Sequence, residues 1–290
     1  MALFGLVFEL VAIVATMLVT AALVVIGPKQ LAISTKNIRW RLEVAALPLG
    51  VLAAVLFARW ATGDVLPRLS ERVVGIRITG AIFDLEQSIF GVNPVTAIQS
   101  LQHELLTEFF IFIYIYAYAF LLVFPVLAYF VLSEMDEFSS LIMAYTANYA
   151  IGIVLYVVFI AMGPRNYDSL LFEPILYETF PRSGYLTHSV NEATNVFPSL
   201  HTSIAMTVFF MAWLTRDRYL LWVPISGFLA ISVAVSTMYL GIHWFSDVVA
   251  GTVLAVVSVY LGVNYSIHGL ANTAKLYVVG QLERRTHFDR

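Results

Sequence analysis

Long apolar runs alternate with short polar breaks along most of this chain. The runs lie at about 3–26, 44–62, 107–132, 139–163, 199–214, 219–240 and 244–264. A helix needs about 20 mainly apolar residues to cross the hydrocarbon core of a bilayer. Each run therefore reads as a spanning helix, with 199–214 the shortest. The runs show no period-two alternation, and an open sheet edge has no hydrogen-bond partner in lipid. The predicted fold is all-α, a polytopic transmembrane bundle of six to seven spanning helices. The first run is too long for the apolar region of a signal peptide, and no small-residue cleavage site follows it. It reads as a retained membrane helix. Glu9 lies inside it, where a carboxyl facing lipid is costly, and it reads as an interfacial residue. Two longer segments, 63–106 and 164–198, separate the runs. The first mixes short apolar runs (Val65-Leu66, Val73–Ile76, Ile82-Phe83, Ile89-Phe90) with charges. That pattern predicts amphipathic helices lying in the membrane interface. The chain shows no internal repeat, low-complexity stretch or linker, so one structural domain is expected.

Composition agrees with this pattern. The 290 residues are 60% hydrophobic and 12% charged, against about 25% charged in a soluble domain. Mean hydropathy is +0.84. A net charge of −3 argues against nucleic acid as a partner. With no cysteine in the chain, disulfides, thiol nucleophiles and thiolate metal sites are excluded.

Basic residues set the expected orientation. Lys29, Lys36, Arg39 and Arg41 follow the first run, Arg216 and Arg218 lie between the fifth and sixth, and Lys275, Arg284, Arg285 and Arg290 are in the tail. Seven helices place all three groups on one side, which the positive-inside rule makes cytoplasmic. The acidic turn Glu134–Glu137 falls on that side too, and acidic residues count little. The N-terminus is then outside and the C-terminus inside. Trp40, Trp60, Trp213, Trp222 and Trp244 all fall near predicted helix ends, as interfacial aromatic belts require.

The remaining polar residues of interest gather on the opposite face. Arg165 ends the fourth run within Gly163-Pro164-Arg165. His201 begins the fifth, after Asn195 and Pro198-Ser199-Leu200. His243 and Asp247 begin the seventh, after Ser236-Thr237. Pro198 suits the first turn of a helix, which would leave the N–H groups of Ser199, Leu200 and His201 pointing outward as a phosphate site. Ser199 adds a hydroxyl donor. His243 and Asp247 are four apart and share one helix face. A carboxylate on one imidazole nitrogen fixes the tautomer and frees the other nitrogen to attack. Arg165 offers a fork of donors to a phosphate. Each feature alone has a plain alternative. A histidine at an interface can snorkel, and a His–Asp pair at a helix start can be a cap. Two histidines and an aspartate also match zinc chemistry, although a helix start and an arginine favour an anion. Glu9, Arg59, His103, His188, His268 and His287 read as structural or surface residues. A transporter would instead place its charges near the bilayer centre, and the middles of the fourth to seventh runs are almost bare of charge.

Pro198-Ser199-Leu200-His201 and the block from Ser236 to Asp247, with a weaker match at Arg165, resemble the type 2 phosphatidic acid phosphatase superfamily. The likeness covers roughly residues 140–264. It implies a phosphatase or phosphotransferase with no metal or other cofactor, working at the outer face of the plasma membrane. The substrate would be a membrane phospholipid or lipid-linked phosphate, and the acceptor a hydroxyl compound or water. His243 would be the nucleophile, Asp247 its orienting group, and His201 the acid that protonates the leaving alkoxide. Arg165 and Ser199 would hold phosphoryl oxygens, with Ser236, Thr237 and Asn195 nearby. The resemblance divides the chain into N-terminal membrane helices and interfacial segment over 1–138, a catalytic core over 139–264, and a cytoplasmic tail over 265–290. The departures also inform. The common pattern has lysine where Val158 stands, proline at Asn166, glycine at Leu200 and arginine at Thr237. These changes are similar to the branch of inositol phosphorylceramide synthases and related inositol phosphotransferases. Fewer cations suit a phosphodiester of charge −1 better than a monoester near −2, with Arg182 as one possible replacement for a lost cation.

Overall fold

The computed structural model describes residues 2–62, 65, 70–71, 75–184, 195–273 and 275–277. Arg284, Arg285, Arg290, His188, His287, Leu66 and Val73 lie outside the described residues. Among the described residues, six helical segments are long and apolar enough to cross a membrane: Phe4–Ile26, Pro28–Ala61, Glu104–Phe130, Asp136–Val158, Trp222–Tyr239 and Phe245–Asn264. Leu200–Leu214 is a shorter apolar helix. The chain is a multi-pass helical membrane protein, as its hydropathy pattern predicts.

Helix α1 (Ala2–Ala21) runs into a π turn, Ala22–Ile26. Gly27, at φ 85°, turns the chain into α2 (Pro28–Ser34), with Pro28 in its first turn. Helix α3 (Ile38–Ala61) starts earlier than its apolar run predicts, so Arg39 and Arg41 are helical. Arg41 is buried and donates to the carbonyls of Phe130 and Leu132. A cation there meets carbonyls that a helix C-terminus leaves without partners. Gln30 donates to the Val131 carbonyl at 2.7 Å. Arg218 pairs with Glu137 at 2.7 Å and Glu134 at 3.4 Å. The turn after α1, the turn at 131–137 and the turn carrying Arg218 therefore meet at one end of the bundle, the shared side that charge placement predicts.

The described part of the 63–106 segment is amphipathic, with Leu85, Ile89 and Phe90 exposed and Ile82 and Glu86 buried. It holds strand β1 (Ile76–Arg77), α4 (Thr79–Phe90) and α5 (Pro94–Gln99). Glu86 and Gln99 are buried. Gln99 donates to the carbonyls of Glu173 (2.9 Å) and Tyr239 (3.0 Å) and accepts from the Glu173 N–H (3.1 Å). Glu86 and Gln99 are thus turned into the protein beside the apolar Ile82 and Val95, and α4–α5 form a cap on the bundle end.

The bundle proper begins with α6 (Glu104–Phe112), which passes through a π turn (Ile113–Ala117) into α7 (Tyr118–Phe130). Helix α8 (Asp136–Val158) stops five residues before its apolar run ends at 163. Phe159 is extended there, and β2 (Phe159–Ile160) pairs in parallel with β1. Short helices α9 (Pro164–Tyr167) and α10 (Ile175–Thr179) follow. Arg165 therefore sits on α9 rather than at the end of α8. Helices α11 (Leu200–Leu214), α12 (Trp222–Tyr239) and α13 (Phe245–Asn264) complete the core, with α8, α11 and α13 packed on one another and α12 on α11.

Small and polar residues make this packing close, as in membrane bundles generally. A Cβ on Gly251 would stand 2.5 Å from the Ser199 carbonyl oxygen. Asn148 of α8 bridges to α11, accepting from Ser203 at 2.6 Å and donating to Thr207 at 3.2 Å. The tryptophans divide. Trp40, Trp60 and Trp213 are exposed, as in an aromatic belt. Trp222 and Trp244 are buried instead. Trp222 packs on Phe124, and Trp244 donates its indole N–H to the Met162 carbonyl at 2.8 Å. Their distance from a helix end says nothing about which way the ring points, and here the apolar interior claims both.

Candidate active site

Helix α12 ends in a glycine reversal. Gly241, at φ 70°, donates to the Met238 carbonyl, and Ile242 donates to the Thr237 carbonyl. This is the Schellman arrangement that satisfies the last carbonyls of a helix. The His243 N–H also donates to Thr237 O, at 3.1 Å. The turn must be glycine for a second reason: a Cβ at 241 would stand 2.7 Å from the Glu173 carbonyl oxygen. The reversal throws His243 onto the start of α13.

Asp247 makes both contacts that the sequence allows for it. Its Oδ2 accepts the Trp244 N–H at 2.9 Å, a cap on α13, and the same oxygen lies 3.3 Å from His243 Nδ1. One carboxylate oxygen thus contacts both the helix start and the imidazole. His243 is 3% exposed. Burial pushes its imidazole down to about 3 from 6.5, the Arg165 charge acts the same way, and the Val196 backbone opposes them. At neutral pH the ring is uncharged and holds a lone pair.

His201 faces this ring from the first turn of α11, with centroids 5.8 Å apart and planes at 61°. Tyr114 and Tyr118, delivered by the π turn and the start of α7, lie 5.0 Å and 4.9 Å from His201 on centroids. The start of α11 differs in detail from expectation. Pro198 precedes the N-cap rather than entering the first turn, and Ser199 is the cap. Its hydroxyl accepts from the Thr202 N–H at 3.2 Å, and its own N–H donates to the Asp247 carbonyl at 3.0 Å. Ser199 therefore caps α11 with its hydroxyl and ties that helix to α13 through its N–H. Among the described residues, the N–H groups of Leu200 and His201 have no acceptor.

Arg165 reaches the same place from α9. Its N–H donates to the Gly241 carbonyl at 3.2 Å. A Cβ on Gly163 would stand 2.5 Å from the Ile242 carbonyl oxygen, so glycine lets the two loops touch. The guanidinium lies 4.7 Å from the Tyr177 ring centroid, and Nη2 donates to the Tyr177 hydroxyl at 3.4 Å. Its Nη1 is buried without a partner. A buried cationic donor left unpaired is costly, and an anion between Arg165 and the histidines would satisfy it.

The other sequence candidates stand elsewhere or turn away. The Ser236 and Thr237 hydroxyls donate to carbonyls of their own helix, Val233 and Ala234, both at 2.8 Å. Asn195 donates to the carbonyls of Tyr156 and Phe159, fastening the loop before α11 to the end of α8, while its Oδ1 has no partner. Arg182 is exposed, stacks over Phe180 at 5.3 Å, and exerts its charge on Tyr116. Glu9 is not simply interfacial: it is half-buried and accepts from the Tyr116 hydroxyl at 2.7 Å. His103 caps α6, accepting from the Leu106 N–H.

Two residues escaped sequence reasoning. Arg59, in the last turn of α3, lies 5.3 Å from the Tyr156 ring centroid, and its charge reaches His201 and Tyr118. Glu86 accepts the Ser246 N–H at 2.7 Å, next to Asp247. Their only signal was a charge at the end of an apolar run and a charge inside a short amphipathic stretch, and both patterns are common on plain surfaces.

Two histidines, a carboxylate and an arginine thus come together at one end of a helical membrane bundle. A family model of the PAP2 superfamily matches residues 80–261, more than half of the chain, and the chain belongs to that superfamily. It is accordingly an enzyme of phosphatase or phosphotransferase type. No curated protein and no solved structure matches it.

Proposed function

We propose that this protein moves a phosphodiester headgroup from a membrane phospholipid to a hydroxyl acceptor through a phosphohistidine on His243. The observation that carries the reading is the facing pair His201 and His243, with Asp247 on one imidazole and the unpartnered Nη1 of Arg165 beside it. With its proton on Nδ1, toward Asp247, the His243 ring has Nε2 to attack phosphorus. The P–O bond to the lipid alkoxide breaks as the N–P bond forms. His201 gives the alkoxide its proton, and takes one back from the acceptor hydroxyl when that oxygen displaces His243. Arg165 and the N–H groups of Leu200 and His201 hold the phosphoryl oxygens. General acid–base help of this kind contributes about 10²–10⁴-fold. The active end faces outward and the basic turns face the cytoplasm, as the charge distribution predicts.

The preference for a diester rests on the missing cations at Val158 and Thr237. Each charge-assisted contact to phosphate contributes about 1.5–3 kcal/mol, so a site with fewer cations favours the less charged group. Arg59 favours a second reading, a lipid phosphomonoester phosphatase, because its charge reaches His201 from a helix outside the matched region. Purified protein offered phosphatidic acid and a phosphatidylinositol-type diester side by side separates the two. Headgroup transfer or release from the diester supports the first reading. Fast release of inorganic phosphate from the monoester, with the diester untouched, overturns it in favour of the second.

A further inference from the structure

The first turn of α13 carries Asp247 and must point it at His243, yet a helix start is a place of unpaired N–H groups. Two of these are answered by carboxylates. Asp247 Oδ2 takes the Trp244 N–H at 2.9 Å. Glu86 Oε1, from the cap helix α4, takes the Ser246 N–H at 2.7 Å. Glu86 is 1% exposed, and its other oxygen accepts from Asn93 Nδ2 at 3.1 Å. Asn93 is itself fixed, because its Oδ1 caps α5 by accepting from the Val95 N–H at 2.9 Å. Burial pushes the Glu86 carboxyl up, and the bonds from Ser246 and Asn93 oppose that shift. A carboxylate at a helix N-terminus is stabilised by the helix dipole and by charge-assisted bonds.

The order of these contacts along the chain matters. Ser246 lies between Trp244 and Asp247, so its N–H is held from outside the helix at the very turn that aims the carboxylate. Asp247 Oδ2 is shared between the Trp244 N–H and His243 Nδ1, and its Oδ1 has no partner. A carboxylate with one oxygen uncommitted has room to turn unless its backbone is pinned. Glu86 supplies the pin.

We propose that Glu86 is a positioning residue: it clamps Ser246 from the cap helix so that Asp247 holds the His243 imidazole in its reactive orientation. The cap segment at 79–99 is thereby part of the reaction machinery through Ser246. The proposal rests on the reading of His243 as the nucleophile, and its test can fail independently of that reading.

Full-length protein in detergent, with uniformly ¹⁵N-labelled histidine, is compared as wild type, Glu86→Gln and Glu86→Ala. His243→Ala assigns the His243 signal, and thermal unfolding checks the fold. In the wild type the His243 Nδ1 proton is hydrogen-bonded and slow to exchange. In Glu86→Ala it exchanges with solvent. Glu86→Gln keeps an oxygen for Ser246 and falls between the two, so a result stands even if the alanine variant does not fold. On the diester and monoester lipids, Glu86→Ala lowers kcat about ten- to a hundredfold, the equivalent of one lost charge-assisted bond, while KM moves by no more than about twofold. An unchanged Nδ1 proton together with unchanged kcat in the folded variants overturns the proposal. A wild type inactive on both lipids overturns the proposed function instead, and the Nδ1 proton still decides the role of Glu86.

Discussion

The N-terminal helices and the core helices are both apolar, and they use that property differently. The most apolar stretch of Phe4–Ile26 is 11% buried inside the protein, and that of Pro28–Ala61 is 17% buried. Trp222–Tyr239 is less hydropathic than either and is 67% buried. The first pair turns large side chains such as Phe4, Phe8 and Phe57 outward to lipid. The core buries Asn148, Ser199, Thr202, Ser203, Thr207, Ser236, Thr237 and Asp247 at full depth. Hydropathy thus finds the helices that cross the membrane, whereas buried small polar residues mark the ones that pack together and carry the site. The superfamily match follows the same division, beginning at residue 80 and leaving α1–α3 outside.

Substitutions that strike the two regions should differ by orders of magnitude. His243→Ala should remove turnover by about 10⁴-fold or more, as loss of a covalent nucleophile does elsewhere; single-turnover assays on the lipid substrate measure it. Asp247→Asn keeps the size of the side chain and loses the charge, and should leave a residual rate about 10²–10⁴-fold below wild type. Arg165→Ala should lower kcat/KM by about ten- to a hundredfold through one lost charge-assisted contact. Arg59→Ala should cost less than Arg165→Ala, yet more than any lipid-facing change in the same N-terminal helices. If it costs nothing, the division between the two regions is complete and α3 plays no part in the site. Asn148→Ala should leave kcat intact and lower stability by about 1 kcal/mol, the scale of interhelical hydrogen bonds in membranes. Phe8→Leu on α1 should fall within about 0.5 kcal/mol of wild type.

Acid should weaken the core selectively. The His243 imidazole is held down to about 3 in the folded chain against 6.5 unfolded. Between those values the unfolded chain binds the extra proton, so stability is complete above about 6.5 and falls as pH drops toward 3. Thermal unfolding across that window should show a weaker pH slope in His243→Ala than in the wild type.

Much of this was legible in the chain. The apolar runs locate every spanning helix, and the spacing of His243 and Asp247 on one helix face gives their contact. The shared end of the basic turns was legible as well. What stayed hidden depends on which way side chains point. Ser199 looks like a phosphate donor, but its hydroxyl caps its own helix and its N–H joins α11 to α13. Ser236 and Thr237 look like site residues, and their hydroxyls bond backward along α12. Glu86 and Gln99 look like the solvated face of an interfacial segment, and each is buried against backbone groups more than 70 residues away in sequence. A hydropathy pattern cannot foresee such long-range pairings, because it records what a residue prefers and not which partner is near.

The central claim is that His243 carries the phosphoryl group. Brief incubation with a phosphorus-labelled lipid donor, rapid denaturation and mass spectrometry of the labelled peptide test it directly. The account predicts an acid-labile, base-stable adduct on His243, accumulating further in His201→Ala and absent from His243→Ala. An adduct on another residue, or active enzyme that never shows one in either the wild type or His201→Ala, would contradict it.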